Sequence, residues 1–230
     1  MGKVSLALIA AIAAFVCGSP AQAADLPVKA KAYKAAPVAP VTNWSGFYAG
    51  AHIGYLWGRA TVVDNGVVAE SNAPTNGAVG GVLGGYNWQS GAFVFGLDAD
   101  FGWSNAHGNG ATQRVESFLY DVKWTSHVRG RAGFATGQWL VFAAGGAAFT
   151  KFDVTMLENA IAQMTCGGTY TGYSVGGGAE YAFSNRISGR LEYLYDDFGK
   201  KTYLMGVNDS YEARFTGSTV RGAVVVKFGQ

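Results

Sequence analysis

The feature that most constrains this chain is a period-two alternation of side-chain polarity that recurs along residues 43–230. Between Phe93 and Trp103, apolar side chains take every second position, while Asp98 and Asp100 lie among the glycines of the other positions. Alternation sustained over a segment of this kind is typical of a β-strand with one apolar face. We predict eight strands on this basis, at residues 47–57, 78–88, 93–103, 120–134, 139–149, 173–183, 187–195 and 220–228.

The connections between the predicted strands alternate strictly between short and long. The short ones are residues 89–92, 135–138 and 184–186. The long ones are residues 58–77, 104–119, 150–172 and 196–219. Outer-membrane barrels have this asymmetry, with short turns in the periplasm and long loops outside. The aromatic residues near the short-turn end, where an interfacial girdle is expected, are Trp44, Phe47, Tyr86, Trp88, Trp139, Phe183 and Phe228.

Composition favours a membrane barrel over a soluble β-sandwich. Charged residues make up 14% of the chain, against about 25% in an ordinary soluble domain, and 34 of the 230 residues are glycine. A sandwich would have a solvent face rich in Lys, Glu and Thr, whereas the second face here is mostly Gly, Ala and Ser. We therefore predict an all-β fold, a transmembrane eight-stranded antiparallel up-and-down β-barrel with short periplasmic turns and four long extracellular loops. The alternative, a soluble ligand-carrying barrel such as a lipocalin, predicts that the apolar face points inward.

The N-terminal part of the chain has a different character. Residues 1–23 have the order of a secretory signal, with a positive start, an apolar run and an Ala-x-Ala site. We expect cleavage between Ala23 and Ala24. Residues 24–42 consist mainly of Ala, Lys, Val and Pro, which predicts an extended periplasmic tether up to roughly 60 Å long. Residues 43–230 then form the barrel domain.

The charged residues of the predicted strands fall on the face opposite the apolar one, which in a barrel is the lumen. These residues are Asp98, Asp100, Asp121, Lys123, Arg129, Arg131, Glu180, Arg190, Glu192, Arg221 and Lys227. Eight strands enclose an interior only wide enough for side chains to fill it. Because an unpaired charge in so narrow a space is strongly unfavourable, we predict a salt-bridged plug rather than an open water channel.

No pattern in the sequence indicates catalysis, a metal or another cofactor. The three histidines, His52, His107 and His127, lie far apart and belong to no metal-binding motif. His107 with Ser104 or Asp153 comes nearest to a catalytic pair, but the spacing does not define a geometry. We expect no catalytic residues, no metal site and no cofactor. A formal net charge of +2 without a Lys- and Arg-rich stretch argues against nucleic acid as a partner.

Several short motifs occur in order along the chain and together resemble one family. They are Ala24-Asp25-Leu26-Pro27, Asn43-Trp44-Ser45-Gly46-Phe47-Tyr48-Ala49-Gly50, Gly84-Gly85-Tyr86-Asn87-Trp88-Gln89, Val128-Arg129-Gly130-Arg131 and Leu191-Glu192-Tyr193-Leu194-Tyr195. The chain resembles the small outer-membrane immunogenic, porin-like barrels of alphaproteobacteria, within the wider group related to the transmembrane domain of outer membrane protein A. The resemblance implies a location in the bacterial outer membrane, with a periplasmic N terminus and extracellular loops. It also implies contact with outer-membrane lipid and lipopolysaccharide, and insertion by the barrel assembly machinery.

The resemblance further implies two kinds of binding. In similar proteins the mature N-terminal Ala-Asp can be joined to peptidoglycan through its free amine, which points to Ala24 as the attachment residue and Asp25 as part of the recognised start. The lysines of residues 24–42 could also bind acidic peptidoglycan. Some relatives are described as haem binders, and the residues of predicted loops that could serve as axial ligands are His107, Met156, Met164, Tyr203 and Tyr211.

We therefore expect a structural outer-membrane barrel, porin-like and surface-exposed, that contributes to envelope integrity and is tethered to peptidoglycan. Two alternatives stay open at this point, a haem-binding surface barrel and a small-solute pore.

Overall fold

The computed structural model describes residues 42–64, 67–111, 116–158, 161–206 and 209–228. Its eight strands are β1 (Gly46–Asp64), β2 (Val67–Ser90), β3 (Phe93–Ala111), β4 (Glu116–Thr136), β5 (Trp139–Glu158), β6 (Ile161–Ala182), β7 (Ile187–Gly206) and β8 (Asp209–Phe228). The predicted signal and all but the last residue of the predicted tether lie outside the described residues. No helix in the described part is long and apolar enough to span a membrane.

Each strand pairs antiparallel with the next, and β1 also pairs with β8, so the sheet closes into an up-and-down barrel. The predicted all-β, eight-stranded antiparallel up-and-down barrel is therefore confirmed. The apolar face points outward: Ile53, Leu97, Val141 and Leu191 are all more than half exposed. The prediction of the lipocalin alternative, an apolar face pointing inward, is wrong.

The short turns form because glycine occupies the position that needs a left-handed backbone. Gly91 between β2 and β3 has a φ of 60°, and Gly137 between β4 and β5 has a φ of 57°. Tight hairpin turns need such angles to match the twist of the strands, and glycine adopts them without a steric penalty. Between β6 and β7, the Ser184 hydroxyl instead accepts the backbone N–H of Ile187 at 3.1 Å.

The long connections are not the loops that the sequence predicts. The strands extend well beyond the predicted limits, and β2 for example begins at Val67 rather than at residue 78. Register shifts interrupt the extensions, among them one between Val122 and Trp124 on β4. A bulge inserts an unpaired residue and moves the following side chains to the opposite face. The period-two pattern consequently breaks at the bulges although the backbone continues as strand.

The extended strands separate into two sheets at the long-hairpin end. In the described residues, pairing of β2 with β3 ends at Asn76 and His107, and pairing of β6 with β7 ends at Tyr173 and Asp197. Beyond these points, β7, β8, β1 and β2 continue as one sheet, and β3 to β6 continue as another.

Candidate functional site in the barrel lumen

The lumen contains a connected network of charged side chains contributed by five of the strands. Its members alternate with outward-facing residues along β3, β4, β6, β7 and β8, so the pleat of each strand brings them inside. In order of contact they are Arg131, Glu180, Arg190, Asp98, Arg129, Glu192, Arg221, Asp100, His127 and Asp196. Each of them is buried.

Glu180 organises the part of the network nearest the short turns. Its Oε2 atom accepts hydrogen bonds from Arg190 Nε at 2.9 Å and Arg131 Nη2 at 3.3 Å. Its Oε1 atom accepts the Ser188 hydroxyl at 2.6 Å. The Arg190 guanidinium also lies over the Tyr48 ring, 5.1 Å from its centroid. One carboxylate is thereby shared by two arginines, which leaves their remaining donors for other acids.

Arg129 forms the centre of the network. Its Nε and Nη2 atoms donate to the two carboxylate oxygens of Asp98 at 3.2 and 3.3 Å. Its Nη1 atom lies 2.9 Å from Glu192 Oε1. A guanidinium held by two carboxylates in this way cannot move aside without breaking several charge-assisted contacts.

Two further acids meet a histidine nearer the long hairpins. Asp100 lies 2.8 Å from His127 Nδ1 and accepts from Arg221 Nη2 at 2.9 Å. His127 Nε2 lies 3.3 Å from Asp196 Oδ1. The imidazole is therefore placed between two carboxylates. His52 is also buried in the lumen, and neither of its ring nitrogens has a hydrogen-bond partner among the described residues.

Glycines next to the network allow neighbouring strand backbones to approach closely. A Cβ added at Gly146 on β5 would lie 2.7 Å from the Arg129 Cα atom, too close for any real contact. On β6, a Cβ at Gly178 would lie 3.0 Å from the Glu192 Cα atom. Glycine at these inward positions therefore leaves space for the backbones of the strands that carry Arg129 and Glu192.

Two of the predicted lumen charges lie outside the lumen, and the prediction is wrong for them. Asp121 and Lys123 are 42% and 50% exposed and pair with each other at 3.4 Å on the outer surface. Lys123 is the extra residue of the bulge between Val122 and Trp124. Because the bulge reverses the phase of β4, Val122 points inward in place of its charged neighbours.

Lys227 and Asp196 also differ from the sequence-based prediction. Lys227 is buried, but its Nζ atom donates to the Asn43 carbonyl at 3.0 Å and lies over the Trp44 ring, away from the connected network. Asp196 was not predicted, because the predicted seventh strand ends one residue before it. The inward phase of Arg190 and Glu192 continues to this position, so a longer strand would have included it.

An aromatic cluster fills the space between the two sheets at the long-hairpin end. Phe152 on β5 and Phe215 on β8 stack across the barrel with ring centroids 4.9 Å apart. Tyr120 stacks on Phe152 at 6.0 Å, and Phe198 stacks on Phe215 at 5.8 Å. These four side chains are buried. Three of them, Phe152, Phe198 and Phe215, belong to the predicted long loops, which is why the sequence pattern did not reveal a core there.

Trp44 closes the short-turn end. It is completely buried in a cluster with Val94, Leu140, Phe142 and Ala182. The prediction that Trp44 belongs to the outer aromatic girdle is therefore wrong. Trp44 precedes β1, so its side chain does not follow the in–out alternation of that strand. It points into the mouth of the barrel instead.

The structure places the candidate haem ligands on three different hairpins. His107 is exposed on β3, and its Nδ1 atom contacts the Asn105 carbonyl at 2.9 Å. The backbones of Met156 and Met164 pair between β5 and β6. The backbones of Tyr203 and Tyr211 pair between β7 and β8. Haem binding stays a prediction for these residues.

Comparison with known proteins identifies the family. The family model described as outer membrane protein beta-barrel domain matches residues 9–228. The 31 kDa outer-membrane immunogenic protein of Brucella melitensis biotype 1 is 33% identical over 237 residues, which cover 96% of this chain and 98% of that protein. The 22 kDa outer membrane protein of Rhizobium leguminosarum bv. viciae is 33% identical over 193 residues, with coverages of 84% and 82%.

A solved structure supports the fold independently. The outer membrane protein OprG from Pseudomonas aeruginosa superposes with a TM-score of 0.59 at 11% identity, and the match covers 83% of this chain and 100% of OprG. The resemblance inferred from the sequence motifs and the predicted outer-membrane location are both confirmed. The closed barrel with an outward apolar face and these matches together show that the chain belongs to the outer membrane protein β-barrel domain family, among relatives named as small outer-membrane immunogenic proteins.

Proposed function

We propose that this protein is a structural, non-enzymatic and non-conducting barrel, which contributes to envelope integrity and joins the outer membrane to peptidoglycan through residues 24–42. The observation that carries the proposal is the filled lumen. Buried side chains occupy it from one mouth to the other: Trp44 and its cluster at the short-turn end, the charge network in the middle, and the aromatic cluster at the long-hairpin end.

The charge network supports a closed state because it is both dense and paired. Arg129 and Glu192 have fully buried side chains, and Asp98 is almost so. A conducting path would require these groups to separate and remain uncompensated during passage of an ion. Breaking one buried pair costs about 3–5 kcal/mol, so an open state that breaks several is rarely populated.

The junction between tether and barrel supports a mechanical role. The Trp44 backbone N–H donates to Gln89 Oε1 at 2.7 Å, and the Gln89 N–H donates to the Ser45 hydroxyl at 3.0 Å. Lys227 Nζ on β8 donates a hydrogen bond to the Asn43 carbonyl. A pull on the tether would therefore be transferred to β2 and β8 as well as to β1. We place this short-turn end in the periplasm, in line with the asymmetry of outer-membrane barrels.

The covalent link we propose is an amide between Ala24 and the cell wall. The free α-amine of Ala24, created by cleavage after Ala23, would attack an activated carbonyl of a peptidoglycan stem peptide. The stem-peptide acyl group is transferred from a cellular transpeptidase to the amine, and the enzyme nucleophile is released. Asp25 is the second residue of the recognised start in this scheme.

Conductance measurements test the closed lumen. The mature protein is refolded in detergent, its folding is checked by different migration of boiled and unboiled samples, and it is inserted into planar bilayers. We expect heat-modifiable migration without discrete conductance steps. Stable channels in most insertions would contradict the non-conducting function and favour a small-solute pore.

Analysis of sacculi tests the tether. Sacculi are boiled in detergent, digested with a muramidase and a protease, and examined for N-terminal peptides that start at Ala24. We expect such peptides to have the added mass of a peptidoglycan fragment, and the Asp25→Ala variant to reduce their yield. Recovery of only unmodified N-terminal peptides would contradict the covalent link while leaving the closed barrel unaffected.

A further inference from the structure

A polar pocket lies on the outer wall of the barrel, where it would face lipid rather than the lumen. It has a volume of about 710 Å³ and crosses four neighbouring strands, β7, β8, β1 and β2. We name it the outer-wall pocket and define it by Trp57, Arg59, Asn76, Tyr195, Thr216 and Ser218.

The pattern of side-chain sizes creates the pocket. Tyr195, Ser218, Trp57 and Asn76 lie side by side across the four strands. The short Ser218 side chain therefore leaves a hollow between two aromatic rings. The Ser218 hydroxyl is also 3.0 Å from the Tyr193 hydroxyl, which adds a polar contact on the side of the pocket nearer the short turns.

The pocket lies at the depth of the lipid headgroups. Outward positions of β1 are apolar or aromatic from Phe47 to Trp57, and this run is about as long as the roughly 25 Å apolar band of such barrels. Arg59 is the next outward position after Trp57, so it comes directly after the aromatic edge of the band. Thr216 pairs with Arg59 and continues the polar row on β8.

Unlike Arg214 and Lys200 at the same end of the barrel, Arg59 has no side-chain partner among the described residues. No hydrogen bond or ion pair joins its guanidinium to the residues that the structure describes. By contrast, Arg214 donates to Asp197 at 2.6 Å, and Lys200 donates to Glu212 at 3.4 Å. Asp197 pairs with Thr216 across β7 and β8, and its charge is offset by Arg214.

We propose that the outer-wall pocket binds the anionic headgroup of an outer-leaflet glycolipid. Arg59 presents a planar fork that matches phosphate or carboxylate oxygens. Asn76, Thr216 and Ser218 offer amide and hydroxyl groups to the sugar hydroxyls. Trp57 and Tyr195 lie at the interface, where amphipathic rings pack against sugar and acyl chain. The site depends on the location of the barrel in the outer membrane and on the proposed orientation with the long hairpins outside, but it does not rest on a closed lumen or on a tether.

Binding of lipid A to the refolded mature protein tests the proposal. The probes are bisphosphorylated lipid A, the same lipid A after removal of its phosphates, and inorganic phosphate. Native mass spectrometry measures the fraction of protein that keeps lipid A after release from detergent micelles. We expect Arg59→Gln to weaken binding of bisphosphorylated lipid A about tenfold, as loss of a hydrogen bond to a charged group predicts. The affinity of Arg59→Lys for bisphosphorylated lipid A should lie between those of the parent and of Arg59→Gln, because lysine keeps the positive charge but lacks the planar guanidinium.

Lys151→Gln is the matched control. Lys151 is an exposed cation at the same end of the barrel, on β5, away from the pocket. We expect this variant to bind lipid A like the parent protein and all variants to show the same heat-modifiable migration. Equal binding by Arg59→Gln and the parent, or an equal loss in Lys151→Gln, would overturn the proposal. Competition by millimolar inorganic phosphate would assign the site to a soluble anion instead of a lipid. The proposal would also be contradicted if the protein bound dephosphorylated and bisphosphorylated lipid A with the same affinity.

Discussion

Arg129 and Asp98 lie directly opposite each other on β4 and β3, and two nitrogens of the guanidinium donate to the two carboxylate oxygens at 3.2 and 3.3 Å. This bidentate geometry adds directional specificity to a charge-assisted pair. Both side chains are buried, so neither has water to replace its partner. The pair also links Arg190 to Glu192 through the shared acid and base, which makes it the central connection of the lumen network.

Removal of Asp98 should therefore destabilise the barrel strongly. Asp98→Ala leaves Arg129 with one fewer buried counter-charge, and we expect the free energy of unfolding to fall by about 3–5 kcal/mol. Urea titration of the protein in lipid vesicles, followed by tryptophan fluorescence, measures this change. The double variant with Arg129→Met should recover part of the loss, because it removes the excess positive charge left in the lumen.

The outer pair of Asp121 and Lys123 supplies the control for that experiment. Asp121→Ala breaks an ion pair whose two side chains are about half exposed. We expect a loss below about 1 kcal/mol, the usual range for a solvent-screened pair. Similar losses for Asp98→Ala and Asp121→Ala would show that burial of the network contributes nothing to stability.

The aromatic cluster should hold the two extended sheets together. Phe152 contacts Tyr120, Tyr170 and Phe215, so Phe152→Ala opens a cavity between the sheets. We expect a loss of about 3–5 kcal/mol and faster proteolysis at the long-hairpin end. Phe152→Leu keeps an apolar side chain there and should cost clearly less. If both variants keep the proteolysis rate of the parent, the cluster does not join the sheets.

A glycine in the lumen should be irreplaceable where a neighbouring side chain already fills its space. A Cβ at Gly85 would lie 2.5 Å from the Tyr48 hydroxyl oxygen and 2.7 Å from its ring. We expect Gly85→Ala to lower the yield of heat-modifiable, folded protein. Gly145→Ala is the control, since the nearest atom to its added Cβ is 3.5 Å away. Equal folding yields for the two variants would contradict the packing argument.

The sequence predicted the membrane-spanning part of the fold well, because two physical constraints act together there. Lipid requires an apolar outer face, and the narrow lumen requires small or paired polar groups. The polarity of side chains such as Leu97 and Asp98 therefore indicates which face of the strand they occupy. The turns at Gly91 and Gly137 were equally visible, since only short connections join the neighbouring strands at that end.

Beyond the bilayer, the same reasoning failed because one of those constraints is absent. The outer face can be polar there, as at Asp121 and Lys123, while the inner face becomes aromatic, as at Phe152. The bulge at Lys123 reversed the phase without leaving a sequence signal. Strand extensions and the aromatic cluster therefore looked like loops, and two charges were assigned to the wrong face.

Trp44 provides the last prediction, because it separates closure of the short-turn mouth from closure of the lumen. Trp44→Ala removes a fully buried indole, and we expect a loss of about 3–5 kcal/mol in the free energy of unfolding. It also removes the ring that Lys227 Nζ covers at 4.6 Å, so residues before β1 should become more accessible to protease. Trp44→Phe keeps an aromatic ring at this position and should retain most of the stability and protection. We expect neither variant to conduct in planar bilayers, since the charge network above Trp44 remains intact. Conductance in Trp44→Ala alone would instead identify Trp44 as the gate, and the paired charges would then be insufficient to close the barrel.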